Sequence, residues 1–235
     1  MGGNRYNSNS IIMAIYKNNP PIVTNGLALA LDTVNRISYT SGSSTWRDLS
    51  SNRINTTLVG SPLFLPNEAG GSINLDGSDD RIDITSGNCV LTSSRTLTAI
   101  IKSNTTTATT NYFRLVDGTT NGYFRLEWNN RLIAVNEAGS TFAFQTGFSP
   151  EFPLNASYFM ITLKCDENGI LTIFNNSIRT NVNINTTGSI ALTNIGRALG
   201  SVSPGGAIST FLFYNRALSD DEIIQNYNAL KTRIG

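Results

Sequence analysis

Short apolar runs recur along almost the whole chain, each cut off within a few residues by Gly, Asn, Asp, Ser or Pro. Such runs are strand-length, and the residues that separate them are turn formers. One segment near the end breaks the pattern. Ala207-Ile208-Ser209-Thr210-Phe211-Leu212-Phe213-Tyr214 predicts a well-buried strand, and Asn215 to Leu218 turn the chain. Ser219 then stands three residues before Glu222, a capping-box spacing, and Asp220 and Asp221 add negative charge to the first helical turn. Ile223, Ile224, Tyr227 and Leu230 follow at helical spacing as an apolar stripe, with Lys231 and Arg233 near the C-terminal end. This is one short amphipathic helix behind a long series of strands.

The upstream strands differ in how they alternate. Leu27-Ala28-Leu29-Ala30-Leu31-Asp32 predicts a strand with one well-buried face, and Ile82 and Ile84 point away from Arg81 and Asp83. Arg95 to Lys102 predicts a central strand. Tyr112 to Val116, Tyr123 to Trp128 and Arg131 to Val135 read as an antiparallel meander, with Asn129-Asn130 as its second turn. The Tyr-Phe-Arg-Leu phrase that occurs twice there is read as coincidence between similar strands. Tyr158 to Lys164, Ile170 to Phe174, Ser177 to Thr180 and Ile190 to Ile195 continue the series, with turns at Asp166 to Gly169 and at Asn175-Asn176. Trp46 is expected as a core plug, and Asp48 and Ser50 as acceptors that fix the adjoining turn. No long linker divides residues 22–235. The whole predicts an all-β fold, a two-sheet antiparallel jelly-roll sandwich with one short C-terminal helix sealing a rim or a face.

Composition excludes several functions. The 235 residues include no His, which removes Ser-His-Asp and Cys-His catalysis and His-ligated zinc. The net charge is +1 with no basic block, so no nucleic-acid partner is expected. Cys89 and Cys165 fit no compact zinc pattern; they read as buried reduced thiols or as a disulfide between neighbouring strands. Residues 1–21 read as a polar N-terminal arm carrying the apolar run Ile11 to Tyr16, which is too short to span a membrane. The arm either folds back on its own domain or packs on a neighbouring subunit. Ile11, Ile12 and Ile15 are its candidate interface residues.

Several landmarks then combine. They are Thr24 to Asp32, Thr45-Trp46-Arg47-Asp48-Leu49-Ser50, Gly71 to Asp80, Leu171 to Asn176 and Phe213 to Ile223. In this order they resemble the laminin-G-like group of the concanavalin A-like lectin/glucanase superfamily, over residues 22–235. The ending Tyr227 to Gly235 is similar to that of laminin-G-like virion proteins of tailed bacteriophages. The turn at Asn175-Asn176 departs from the group's usual Asn-Gly but keeps its chemistry.

That resemblance implies a virion structural protein, either a capsid-surface decoration protein or a tail module. It would act through contacts with the major capsid or tail protein. A homo-oligomer is expected, with a trimer around a local capsid axis as its form. The alternative is a lectin-like adhesion module that binds a host-surface glycan. An enzyme is not expected, because the related glucanases' Glu-x-Asp-x-x-Glu strand is missing and Glu127 stands alone on its strand. No cofactor is expected, with one reservation for calcium: Asp76, Asp79 and Asp80 could supply oxygen ligands, or could instead cap their own turn. For a glycan, Trp128 with Asn129 and Asn130 is the leading contact, ahead of Tyr112 and Tyr123.

Overall fold

The computed structural model describes residues 20–85, 89–91, 94–103, 112–118, 122–127, 131–147, 149–150, 157–186, 188–196 and 205–234, with backbone alone at 112–113, 127, 131–132 and 142–144. The strands in chain order are β1 (Leu27–Asp32), β2 (Thr56–Val59), β3 (Leu63–Leu65), β4 (Ser72–Leu75), β5 (Arg81–Ile84), β6 (Val90–Leu91), β7 (Arg95–Ser103) and β8 (Tyr112–Gly118). After them come β9 (Tyr123–Glu127), β10 (Arg131–Val135), β11 (Thr141–Thr146), β12 (Phe159–Cys165), β13 (Ile170–Asn175), β14 (Ile178–Asn185), β15 (Ile190–Ile195) and β16 (Gly206–Tyr214). Helix α1 (Asp220–Leu230) and a 3-10 turn, Lys231–Arg233, complete the described elements.

The strands form two antiparallel sheets, as the sequence predicts. The first runs β14-β13-β12-β7-β16-β4-β3, with β1 also on β16. The second runs β11-β10-β9-β8-β15-β5-β2, with β6 on β15. Their facing surfaces close one core. Leu29, Leu31, Leu97, Phe211 and Phe213 come from the first sheet, and Ile82, Leu115, Phe124, Leu126 and Ile195 from the second. Trp46 plugs this core and is fully buried.

Strand β16 is buried along its whole length. Phe211 and Phe213 face the inner core, whereas Leu212 and Tyr214 join Ala30, Ile100, Met160 and Phe174 in a second apolar cluster outside the first sheet. Ile223, Ala229 and Leu230 of α1 cover that cluster. A strand apolar on both faces therefore requires a cover on each side, and the helix is one of them.

Helix α1 is held at both ends. The Ser219 hydroxyl accepts the Glu222 N–H at 3.1 Å, and the Glu222 carboxylate accepts the Ser219 N–H at 2.8 Å, completing the predicted capping box. The buried face differs from the predicted stripe. Ile224 is 39% exposed, while Asn226 is fully buried. The reason is a closed ring of polar bonds. Asn226 Oδ1 accepts the Val23 N–H at 2.8 Å, Asn226 Nδ2 donates to the Tyr214 hydroxyl at 3.0 Å, and that hydroxyl donates to the Val23 carbonyl at 3.0 Å. With its amide bonded on both sides, Asn226 is buried on the helix face that covers the sheet, a position outside the expected stripe. Arg233 departs as well. It turns inward, buried, to Asp32 instead of lying along the helix end as a dipole charge.

Arg216 grips Glu222 with two bonds of 2.6 and 2.8 Å. That guanidinium, with the Ser219 N–H, lowers the Glu222 carboxyl from 4.5 to about 2. A depressed carboxyl stabilises the fold above its unfolded value and loses that contribution as the pH falls through its folded value. The Glu222 contribution should therefore be complete above about pH 4.5 and disappear toward pH 2. Urea midpoints measured from pH 6 to pH 2 should show Glu222→Gln losing less stability on acidification than the parent. Parallel curves would remove this pair from the acid response.

Cys89 and Cys165 are both free and buried, which decides between the two readings of the sequence. Burial pushes each thiol up to about 12, so neither is a nucleophile near neutral pH.

Candidate ligand-binding face

The outer face of the second sheet carries a row of side chains that is polar on every strand but β10, where Val135 stands. Register partners run Thr57, Asp83, Asn194, Asp117, Tyr123, Val135 and Thr141, one from each strand of the sheet path. At the usual strand spacing the row is about 29 Å long. Ile82, Ile84, Leu126 and Phe124 alternate with it on the core side.

Two bulges create the middle of this row. Residues three apart on a regular strand face opposite ways. A bulge between Arg114 and Val116 sends both Leu115 and Val116 to the core and leaves Arg114 and Asp117 on one face. In β15 a second bulge, between Leu192 and Asn194, leaves Leu192 in the core and turns Asn194 outward.

The side chains interlock. Arg81 Nε donates to Asp83 Oδ1 at 2.8 Å, and Asn194 Nδ2 donates to the same oxygen at 2.6 Å. Arg114 is ion-paired with Asp117, and both are buried. The Arg114 guanidinium lies 4.1 Å from the centre of the Tyr123 ring, and the Arg125 guanidinium 5.3 Å from it. Arg114 and Arg125 are direct register partners, so two like charges face each other across the pair. The electron-rich face of Tyr123 and the Asp117 carboxylate offset that repulsion. The result is a half-buried aromatic ring flanked by fixed planar donors and acceptors. Such an arrangement can hydrogen-bond a polyhydroxylated ligand and pack against its apolar faces.

The expected site residues fall in different places. Trp128, Asn129 and Asn130 follow β9 and lie outside the described residues, as do Ile11, Ile12 and Ile15. Tyr123, one of the two lesser candidates, lies in the row beside Asp117. The two Tyr-Phe-Arg-Leu phrases contribute Arg114 and Arg125, which the β8–β9 register sets opposite each other.

Asp76, Asp79 and Asp80 do come together, with one carboxylate oxygen from each within 4.8 Å of the others. Asp76 Oδ1 accepts the Ser78 N–H at 2.8 Å, and Asp80 Oδ2 accepts the Asp76 N–H at 2.9 Å. These bonds account for the turn on their own. Burial, with Asp76 and Asp79 nearby, holds the Asp80 carboxyl above its ordinary range. Gly60 packs directly on it: a Cβ there would lie 2.7 Å from the Asp80 Cα, and the φ of +100° is one that glycine adopts without strain.

No family model matches the sequence, and no curated protein matches it. Solved structures do match the fold. A Trypanosoma rangeli sialidase mutant displaying trans-sialidase activity aligns at TM-score 0.62 and 14% identity, over 92% of this chain and 35% of that one. The binding domain of botulinum neurotoxin serotype D aligns at TM-score 0.66 and 14% identity, over 87% of this chain and 52% of that one. A botulinum neurotoxin type C structure, described as depending on two ganglioside molecules for cell entry, aligns at TM-score 0.62 and 15% identity, over 87% and 51%. The chain thus spans about a third to a half of the structures it is similar to, and the likeness is one of fold. It agrees with the two-sheet jelly-roll sandwich expected from the sequence. The more specific virion resemblance has no counterpart in these matches.

Proposed function

We propose that this chain is a lectin-like binding module that holds a glycan along the outer face of the second sheet. The observation that carries the proposal is the row through Tyr123, with Arg114 and Arg125 at the ring and Asp117, Asn194 and Asp83 extending it. Its length suits an extended ligand of several units. The structural neighbours add support, since they include receptor-binding domains and a toxin that uses gangliosides. The role is binding and not catalysis: Asp117 is held by Arg114 and Asp83 by Arg81 and Asn194, arrangements that fix acceptors in place.

Screening the full chain on a glycan array should give a saturable ligand. Tyr123→Ala should then weaken it at least ten-fold while the melting temperature stays within a few degrees. Absence of any glycan ligand, or affinity indifferent to Tyr123→Ala, would remove the reading.

The virion resemblance bears on where such a module would work. On a capsid surface or a tail, held there by the major capsid or tail protein, its target would be a host-surface glycan. Imaging native particles for a regular array of the chain tests that placement separately.

A further inference from the structure

The row on the second sheet does not stop at β2. Beyond that strand Thr45 forms an antiparallel bridge with Thr57, and the Leu58 N–H donates to the Ser44 carbonyl at 2.8 Å. The segment around Thr45 alternates as a strand does: Trp46 and Asp48 are buried, while Thr45 and Arg47 are exposed. β2 and the residue before it alternate in step, with Thr56 and Leu58 buried and Asn55 and Thr57 exposed. The Thr56 hydroxyl donates to the Trp46 carbonyl, so the pairing continues one step past the bridge. One step further sets Arg47 opposite Asn55 on the outer face. Arg53, also exposed, stands two residues before Asn55. Paired residues lie about 5 Å apart and two residues of chain span at most about 7 Å, so the two arginines start within about 12 Å of each other.

Their charges are unanswered. Residues 33–55 contain three basic side chains, Arg36, Arg47 and Arg53, and one acidic side chain, Asp48. All three arginines are exposed, and among the described residues none of their guanidinium groups has a hydrogen-bond or ion-pair partner. Asp48 is buried and is held by the N–H groups of Ala30, Ser50 and Ile54. Within the row, by contrast, Arg81 is paired with Asp83 and Arg114 with Asp117. The acidic turn of Asp76, Asp79 and Asp80 lies at the opposite end of β2, where Gly60 packs on Asp80. Gly60 is five residues, about 16 Å, from Asn55. That is about twice the distance over which physiological salt screens a charge. The outer face is therefore polarised, with free cations at the Asn55 end. A guanidinium fork matches the paired oxygens of a carboxylate, sulfate or phosphate.

On the glycan-binding reading of the row, on which this rests, we propose that the ligand is an acidic glycan whose anionic groups are received by Arg47 and Arg53 as it passes the β2 edge. Tyr123 and its neighbours hold the sugar rings, and the two arginines set the charge class.

Matched pairs of linear oligosaccharides test it, each an acidic member and its carboxyl-reduced or desulfated counterpart, titrated against the full chain at low and at physiological salt. The acidic member should bind at least ten-fold more tightly than its neutral counterpart, and the gap should narrow as salt is added. Arg47→Gln combined with Arg53→Gln should bring the acidic member down to the affinity of the neutral one, at an unchanged melting temperature. Tyr123→Ala should weaken both members alike. Equal binding of the two members would overturn the proposal and leave the glycan reading standing. So would a gap that survives the double arginine variant. Acidic binding that ignores Tyr123→Ala would separate the arginines from the row and overturn it as well. Failure of every pair to bind would take down the glycan reading itself, and this proposal with it.

Discussion

Asp48→Ala should lower the melting temperature by about 8–16 °C. The Asp48 carboxylate is a buried hub. It accepts the N–H groups of Ala30, Ser50 and Ile54, each at 2.8 Å, and the Ser50 hydroxyl at 2.6 Å. One side chain thereby ties β1 to the loop that carries Trp46 into the core. Alanine would leave three buried N–H groups without an acceptor. At about 1–3 kcal/mol for each unsatisfied buried group, and with some relief from water entering, the loss is about 4 kcal/mol. For a domain of this size that converts to the stated shift. Asp48→Asn keeps one acceptor oxygen and should fall between the two. A shift below about 3 °C for Asp48→Ala, measured by calorimetry, would show that the loop has other means of support.

Arg233→Leu should cost about 3–5 kcal/mol, because it strands a largely buried Asp32 carboxylate and the Thr210 hydroxyl at once. The informative comparison is the double variant with Asp32→Leu. Replacing both partners of a buried ion pair by apolar residues removes the stranded charge, so the double variant should recover much of the loss. Denaturant midpoints for the four proteins of the cycle would measure the coupling. If the double variant lost the sum of the two single losses, the pair would not be acting as a unit.

Most of the fold could be read from the residues, because strands and turns announce themselves locally. Ile82 and Ile84 alternate with Arg81 and Asp83 as a half-buried strand requires, whereas Leu27 to Leu31 are buried on both faces and not on the one expected, and Ser219 with Glu222 marks the start of the helix. What escaped was settled by distant partners. Asn226 interrupts the helical stripe because its ring of bonds closes through Val23 and Tyr214, neither of which helical spacing identifies. Arg233 resembled a helix-end charge until Asp32 arrived from the other end of the domain. The binding face was less legible still. Strict alternation puts Arg114 and Asp117 on opposite sides of β8, and only the bulge between them brings both outward. Asn194 was hidden in the same way by the bulge in β15. Tyr123 was visible as an aromatic, but nothing in its own strand says that two arginines will meet at its ring.

The position of β16 has a consequence for how the protein comes into being. It pairs with β7 on one edge and with β1 and β4 on the other, so it joins the two halves of the first sheet. Residues 206–214 leave the ribosome after all the other described strands. Until then β1 and β7 have no common neighbour, and their apolar faces lack both the strand and the helix that shield them. The sandwich therefore cannot be assembled progressively from its N-terminal side. The nascent chain must wait with open edges, in a state prone to association, and then close long loops in one late step.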